Sequence, residues 1–224
     1  SSTTSSEVRL INSDTPEESP YIFLKRESDH LYSIEHDPED NRFLVETNWL
    51  AKNFRLMAID LKKSADKNEW TELIPHREDI LLQSALAFPN HLVIMERENG
   101  LRQLKIITKK DNTERSIIFN DPAYSAYLAA NPEYYSEKFY FGYSSLRTPD
   151  SLFSSKLSTG RKRLLKQAEV KGPFSKSDYK VERKFIEGRD GTLIPVSLVY
   201  KRTTFKANNN PLFVYGYGSY GNSI

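Results

Sequence analysis

Short apolar and aromatic runs separated by polar turns recur along the first 166 residues, with a period of about 40 to 50 residues. A first set of four runs lies at residues 30–35, 42–47, 54–61 and 70–74. A second lies at 81–87, 91–96, 101–108 and 114–119, and a third at 126–130, 138–143, 151–157 and 162–165. Runs of this length, bounded by Asn, Asp, Gly and Pro, read as strands. The turns between the second and third runs of each set fall at 48–53, 98–100 and 145–150. Four antiparallel strands repeated in this way form the blade of a β-propeller. A β-sandwich with the same strand spacing satisfies the periodicity as well. Residues 8–11 and 21–25 read as outer strands of an earlier unit.

Composition agrees with a β-rich chain. It has 13 tyrosines and 12 phenylalanines, while alanine-rich helical patterns are scarce. The net charge of +2 gives no global reason to expect nucleic acid or an anionic membrane as partner. No apolar run approaches the roughly 18 residues of a spanning helix, and no charged-then-apolar leader opens the chain. A soluble protein is therefore expected. The lack of cysteine removes disulfides and thiolate metal sites, and suits the cytoplasm. The opening Ser1-Ser2-Thr3-Thr4-Ser5-Ser6 reads either as a flexible terminus or as the interior of a repeat in a longer polypeptide.

Beyond the repeats the pattern changes. Residues 167–178 are polar, contain Gly172-Pro173 and read as a crossing between two domains. Runs at 179–186 and 192–200 flank Asp190-Gly191, a hairpin signal. Pro195 lies inside the second run, so its missing N–H must face a bulge or an edge. Residues 212–215, Leu-Phe-Val-Tyr, have strand propensity and lead into Gly216-Tyr217-Gly218-Ser219-Tyr220-Gly221. Glycines at 216, 218 and 221 permit close backbone approach and positive φ, so the tyrosines between them can be aimed.

The order Asp190-Gly191-Thr192-Leu193-Ile194-Pro195-Val196-Ser197-Leu198-Val199-Tyr200, then Asn210-Pro211 through Tyr217-Gly218-Ser219-Tyr220-Gly221, resembles the prolyl oligopeptidase family of serine peptidases. Ser219-Tyr220-Gly221 resembles its oligopeptidase B branch in particular. The likeness extends back through Asp121-Pro122-Ala123-Tyr124 and through 142–153. It implies that residues 1–166 are C-terminal blades of a propeller, 167–178 a linker, and 179–224 the start of an α/β-hydrolase domain. It implies hydrolysis of short peptides, after Lys or Arg, with Tyr217 donating its hydroxyl to the oxyanion hole. The serine, aspartate and histidine of such a triad fall outside residues 1–224, so the chain alone is expected to be inactive. The other class consistent with the repeats is a non-catalytic propeller that binds proteins.

Other chemistries fare worse. Gly216-x-Gly218-x-x-Gly221 matches a dinucleotide fingerprint in outline, but the bulky Tyr217 stands next to the point of closest backbone approach. Ser219 has Tyr217 two residues before it, so the Gly-x-Ser-x-Gly elbow fails at its first glycine. His30, His36, His76 and His91 have no ligand spacing, and the acidic clusters lack a calcium-loop register. No cofactor and no metal is expected. Arg161-Lys162-Arg163 reads as a solvated turn. With blade faces and the 212–215 strand unpartnered, the isolated chain is expected to self-associate.

Overall fold

A computed structural model describes residues 2–219 of the chain. Among the described residues strand accounts for 46% and helix for 4%, so the protein is mainly β. The short β1 (Arg9–Leu10) and β2 (Tyr21–Ile22) pair antiparallel. Next come β3 (Tyr32–Asp37), β4 (Arg42–Thr47), β5 (Arg55–Ile59) and β6 (Thr71–Ile74), which form one antiparallel sheet in chain order. A second sheet runs β7 (Ile80–Phe88), β8 (His91–Glu98), β9 (Leu101–Thr108), β10 (Glu114–Ser116). A third runs β11 (Tyr124–Leu128), β12 (Lys138–Ser145), β13 (Thr148–Lys156), β14 (Lys162–Gln167). The hairpin β15 (Tyr179–Glu187) and β16 (Leu193–Lys201) follows. Three sheets of four strands are thus the repeat that the sequence announced.

Turn chemistry fixes several registers. Asn99 and Gly100 both adopt positive φ, 50° and 78°, the two-residue turn whose twist matches the strands it joins. Asn41 closes the 38–41 turn at φ 47°, after its N–H bonds the Pro38 carbonyl. Gly191, at φ 81°, plays the same part after a turn from Gly188. There the Gly188 N–H donates to the Thr192 carbonyl, which makes Arg189-Asp190-Gly191 a three-residue loop with a bulge. The Arg202 N–H bonds Asp178 at the other end of this hairpin, and the alternation between these bonds leaves Phe185–Pro195 as a non-bonded pair. Pro195 therefore lacks its donor on the open side of β16, as an edge position requires.

The chain divides into two compact units, one holding residues up to Arg97 with Lys105–Arg115, the other Glu98–Leu104 with residues from Ser116 on. In the first, Phe23, Leu24, Tyr32, Val45, Met57, Ile59 and Trp70 form a buried cluster. The opening serines are tied into this unit. Ser6 donates to the Tyr32 carbonyl and accepts from its N–H, at 2.9 and 2.7 Å. In the second unit Phe139 and Phe141 are fully buried, and Phe119, Tyr124, Tyr143 and Phe153 stack around them.

Some expected elements moved. The run at 30–35 became a strand at 32–37, because the Leu31 N–H is taken by the Asn48 side chain. Residues 8–11 and 21–25 shrank to two-residue strands, the Val8 N–H being held instead by the Tyr32 hydroxyl. The 145–150 turn is only two residues wide, since Ser145 and Thr148 already pair. Most consequentially, no strand forms at 212–215. Leu212, Phe213, Val214 and Tyr215 are all exposed, Phe213 by 88%. A strand is a pairing as well as a propensity, and among the described residues no strand edge is bonded to this segment.

Candidate functional site

The residue expected to carry chemistry, Tyr217, lies past the last strand with its side chain 47% exposed. Space around it is open. A Cβ built on Gly216 or Gly218 would meet nothing within 4 Å, and neither has the left-handed φ expected of it. The remainder of that motif, Tyr220 to Ile224 with Gly221, lies outside the described residues.

The histidines serve packing. His30 is buried and shares a hydrogen bond of 2.8 Å with the Thr47 hydroxyl through Nε2. Its burial, and then the nearby Lys67 ammonium, hold its pKa below the usual imidazole value. His36 stacks on Phe43 at 4.7 Å. Burial likewise lowers His91, helped by Arg115 and Lys109. His76 comes no nearer than 3.8 Å to Glu78. Among the described residues no group of His, Asp and Glu could hold a metal ion.

The polar constellation that does exist was missed in the sequence. Asp121, buried, accepts from the Tyr143 hydroxyl at 2.7 Å and from the Thr148 hydroxyl at 3.1 Å through Oδ2. Its Oδ1 accepts from Arg147 Nε at 2.7 Å. Burial pushes the Asp121 carboxyl up, but bonds from Tyr143, Arg147, Ser145 and Thr148 together outweigh it and hold the pKa below the usual value. Burial, and then the same carboxylate, push the Tyr143 phenol up. Arg147 also reaches the Tyr179 carbonyl at 3.5 Å, and Arg183 of β15 donates to the Asn99 carbonyl. The third sheet is thereby joined to the base of the hairpin. These partners are 22 to 27 positions from Asp121, too far apart to read as one motif, although both segments were noted.

The first unit holds buried ions of its own. Asp37, fully buried, is paired with Arg42 at 3.1 Å and Lys109 at 2.5 Å. Glu96 is paired with Arg77 and with Lys105, the latter at 2.9 Å. Glu46 lacks such a partner. Burial raises its pKa to about 7, against only a 3.5 Å bond from the Ser33 hydroxyl. It lines a cavity of about 120 Å³ with Glu35, Leu44, Ser84 and Ala85. Glu35 is raised too, first by burial. This arrangement gives a scaffold braced by buried charge. Among the described residues it does not assemble a nucleophile, a base and an oxyanion donor.

A family model described as "Prolyl oligopeptidase, N-terminal beta-propeller domain" matches residues 1–168. Protease 2 of Moraxella lacunata is 32% identical over 223 residues, covering 100% of this chain and 31% of the relative. Dipeptidyl aminopeptidase BI of Pseudoxanthomonas mexicana is 35% identical over 228 residues, covering 100% and 30%. Among solved structures, oligopeptidase B from Leishmania major superposes with a TM-score of 0.86 at 28% identity, covering 99% of this chain and 32% of that one. Oligopeptidase B from Trypanosoma brucei, with covalently bound antipain, gives 0.86 at 25% identity and the same coverage. The chain thus spans about a third of the length of the relatives it matches. Those neighbours make the four-stranded sheets blades of a propeller, which the strand spacing alone had left open against a sandwich.

Proposed function

Because the chain belongs to the prolyl oligopeptidase family, we propose that it acts as part of a longer serine peptidase that hydrolyses short peptides after Lys or Arg. Residues 1–166 are the C-terminal blades of its propeller, 167–178 the crossing, and 179–224 the start of its hydrolase domain. One observation carries the reading. The likeness to whole peptidases runs through 99% of the chain, across both the blades and the hairpin beyond them.

In this reading Tyr217 is the oxyanion donor. When a serine attacks a peptide carbonyl, negative charge grows on the oxygen. A hydroxyl already aimed at it stabilises the transition state more than the ground state. A phenol suits the task, since its ring can be clamped by packing while its OH protrudes. Tyr217 is exposed, with open space at Gly216 and Gly218, so the packing that clamps its ring is to come from elsewhere in the polypeptide. No Gly-x-Ser-x-Gly elbow occurs in the 224 residues, so the nucleophile is supplied from elsewhere in the polypeptide.

Steady-state hydrolysis of an arginyl fluorogenic peptide by the full-length protein tests the reading. Tyr217→Phe should lower kcat on the order of 10²–10³-fold with KM little changed, since it removes a contact made only in the transition state. A full-length protein that leaves arginyl and lysyl peptides intact rules out the activity, and a variant with undiminished kcat rules out the role of Tyr217.

A further inference from the structure

The face of the third sheet opposite its aromatic stack carries a concentration of positive charge. Lys138 of β12 stands directly across from Lys156 of β13, and Arg163 of β14 across from Ser154. With Arg161 and Lys162 these residues line a groove of about 360 Å³, where Glu137 is the one carboxylate. Lys162 leans away to the Ile118 carbonyl and the Phe119 ring. Among the described residues no ion pair neutralises Lys138, Lys156, Arg161 or Arg163. Like charges directly opposite on a sheet destabilise it. The same sequence supplies carboxylates to Arg42, Lys105, Lys109 and Arg147, so their lack here is local. Further along this face, the half-exposed Tyr127 ring lies over Gly142, where a Cβ would come within 2.0 Å of its Cζ. Apolar surface bordered by unpaired cations suits a packed partner of opposite charge.

The family match ends at residue 168, just after β14. In a radial array every blade has a neighbour on each face, and the last blade of a ring meets the first. We propose that this basic face receives another sheet of the same polypeptide, one lying outside residues 1–224, whose facing side presents carboxylates to Lys138, Lys156, Arg161 and Arg163. The ring would then close through ion pairs across this joint. The inference rests on the reading of the chain as part of a longer protein, its relatives being about three times as long as the segment it matches.

Zero-length carbodiimide coupling of amines to carboxylates in the full-length protein, followed by peptide mapping of the monomer fraction, tests it. Lys138 and Lys156 should be linked to Asp or Glu outside residues 1–224. They should also acetylate at least tenfold more slowly than the exposed Lys25. A Lys138→Glu, Lys156→Glu double variant should lose the links and show faster amide exchange throughout β12 and β13. The proposal is overturned if both lysines acetylate as fast as Lys25 without linking. It is equally overturned if they link only between two copies, or are shielded only when inorganic phosphate is added. Peptide hydrolysis by the same preparation judges the peptidase reading separately, because the links do not depend on activity.

Discussion

The third sheet and the stretch at 211–219 are both rich in aromatic residues, yet they end in opposite states. In β12, Phe139 and Phe141 are fully buried among other rings. Phe213 and Val214, no less suited to a strand, are exposed and unpaired. The difference lies in partners. β12 finds β11 and β13 close by in sequence, through short connections, so local pairing is sufficient to bury it. Residues 212–215 have no described edge to join. The hairpin is intermediate: Val181 near its base is buried, whereas Phe185, Ile186, Leu193 and Ile194 near its tip are exposed.

The largest effect should come from the buried rings. Phe139→Ala is expected to cost about 3–5 kcal/mol in chemical denaturation, as large-to-small changes of a buried Phe do. Phe213→Ala should stay within about 0.5 kcal/mol, as surface changes do. Equal effects at the two positions would end the comparison.

Removing the Asp121 hub should follow closely. Asp121→Ala leaves Arg147, Tyr143 and Thr148 without their shared acceptor, and is expected to cost about 3 kcal/mol, the lower end for breaking a buried pair. The folded-state pKa of Asp121 is depressed, so the stability it contributes is present above the unfolded value and is lost as pH falls through the folded one. Asp121→Asn should therefore flatten the acid limb of the stability–pH curve, measured by urea midpoints from pH 6 down to pH 2. An unchanged acid limb would show that the hub does not titrate with folding.

Glu46 should behave with the opposite sign. Its folded-state pKa is raised from 4.5 to about 7, so the folded protein binds a proton that the unfolded chain releases, and stability falls as pH rises between those values. Glu46→Gln should raise the urea midpoint at pH 8 and change it little at pH 4. A variant less stable at pH 8 would contradict the burial argument.

A modest effect is expected at Gly142. A methyl there collides with the Tyr127 ring, which is half-exposed and can swing aside, so Gly142→Ala should cost only about 1 kcal/mol, the low end for overpacking. Adding Tyr127→Ala should remove most of that cost. A double variant as unstable as the sum of the two would show that the ring is not the obstacle.

What the sequence made legible follows the same division. The twelve strands of the three sheets were readable because each pairs with its sequence neighbour, so alternation and turn residues such as Asn99-Gly100 contain enough information. The hairpin was readable from Asp190-Gly191 for the same reason. The Asp121 hub was not, since its members are brought together only by the pairing of β12 with β13 and by the return of the chain at Tyr179. Leu212-Phe213-Val214-Tyr215 was read as a strand on propensity and as one without a partner, and among the described residues, with no edge to join, it forms none. Tyr217 was singled out by family likeness, and the chemistry proposed for it calls on groups that residues 1–224 do not supply.

Amide hydrogen exchange at 212–215 addresses the central claim most directly, because it separates propensity from pairing in one segment. In the 224-residue chain the amides of Phe213, Val214 and Tyr215 should exchange as fast as those of an unstructured peptide, while Phe139 to Tyr143 remain protected. In the full-length protein the same three amides should become protected. Strong protection of 213–215 in the 224-residue chain would contradict the account.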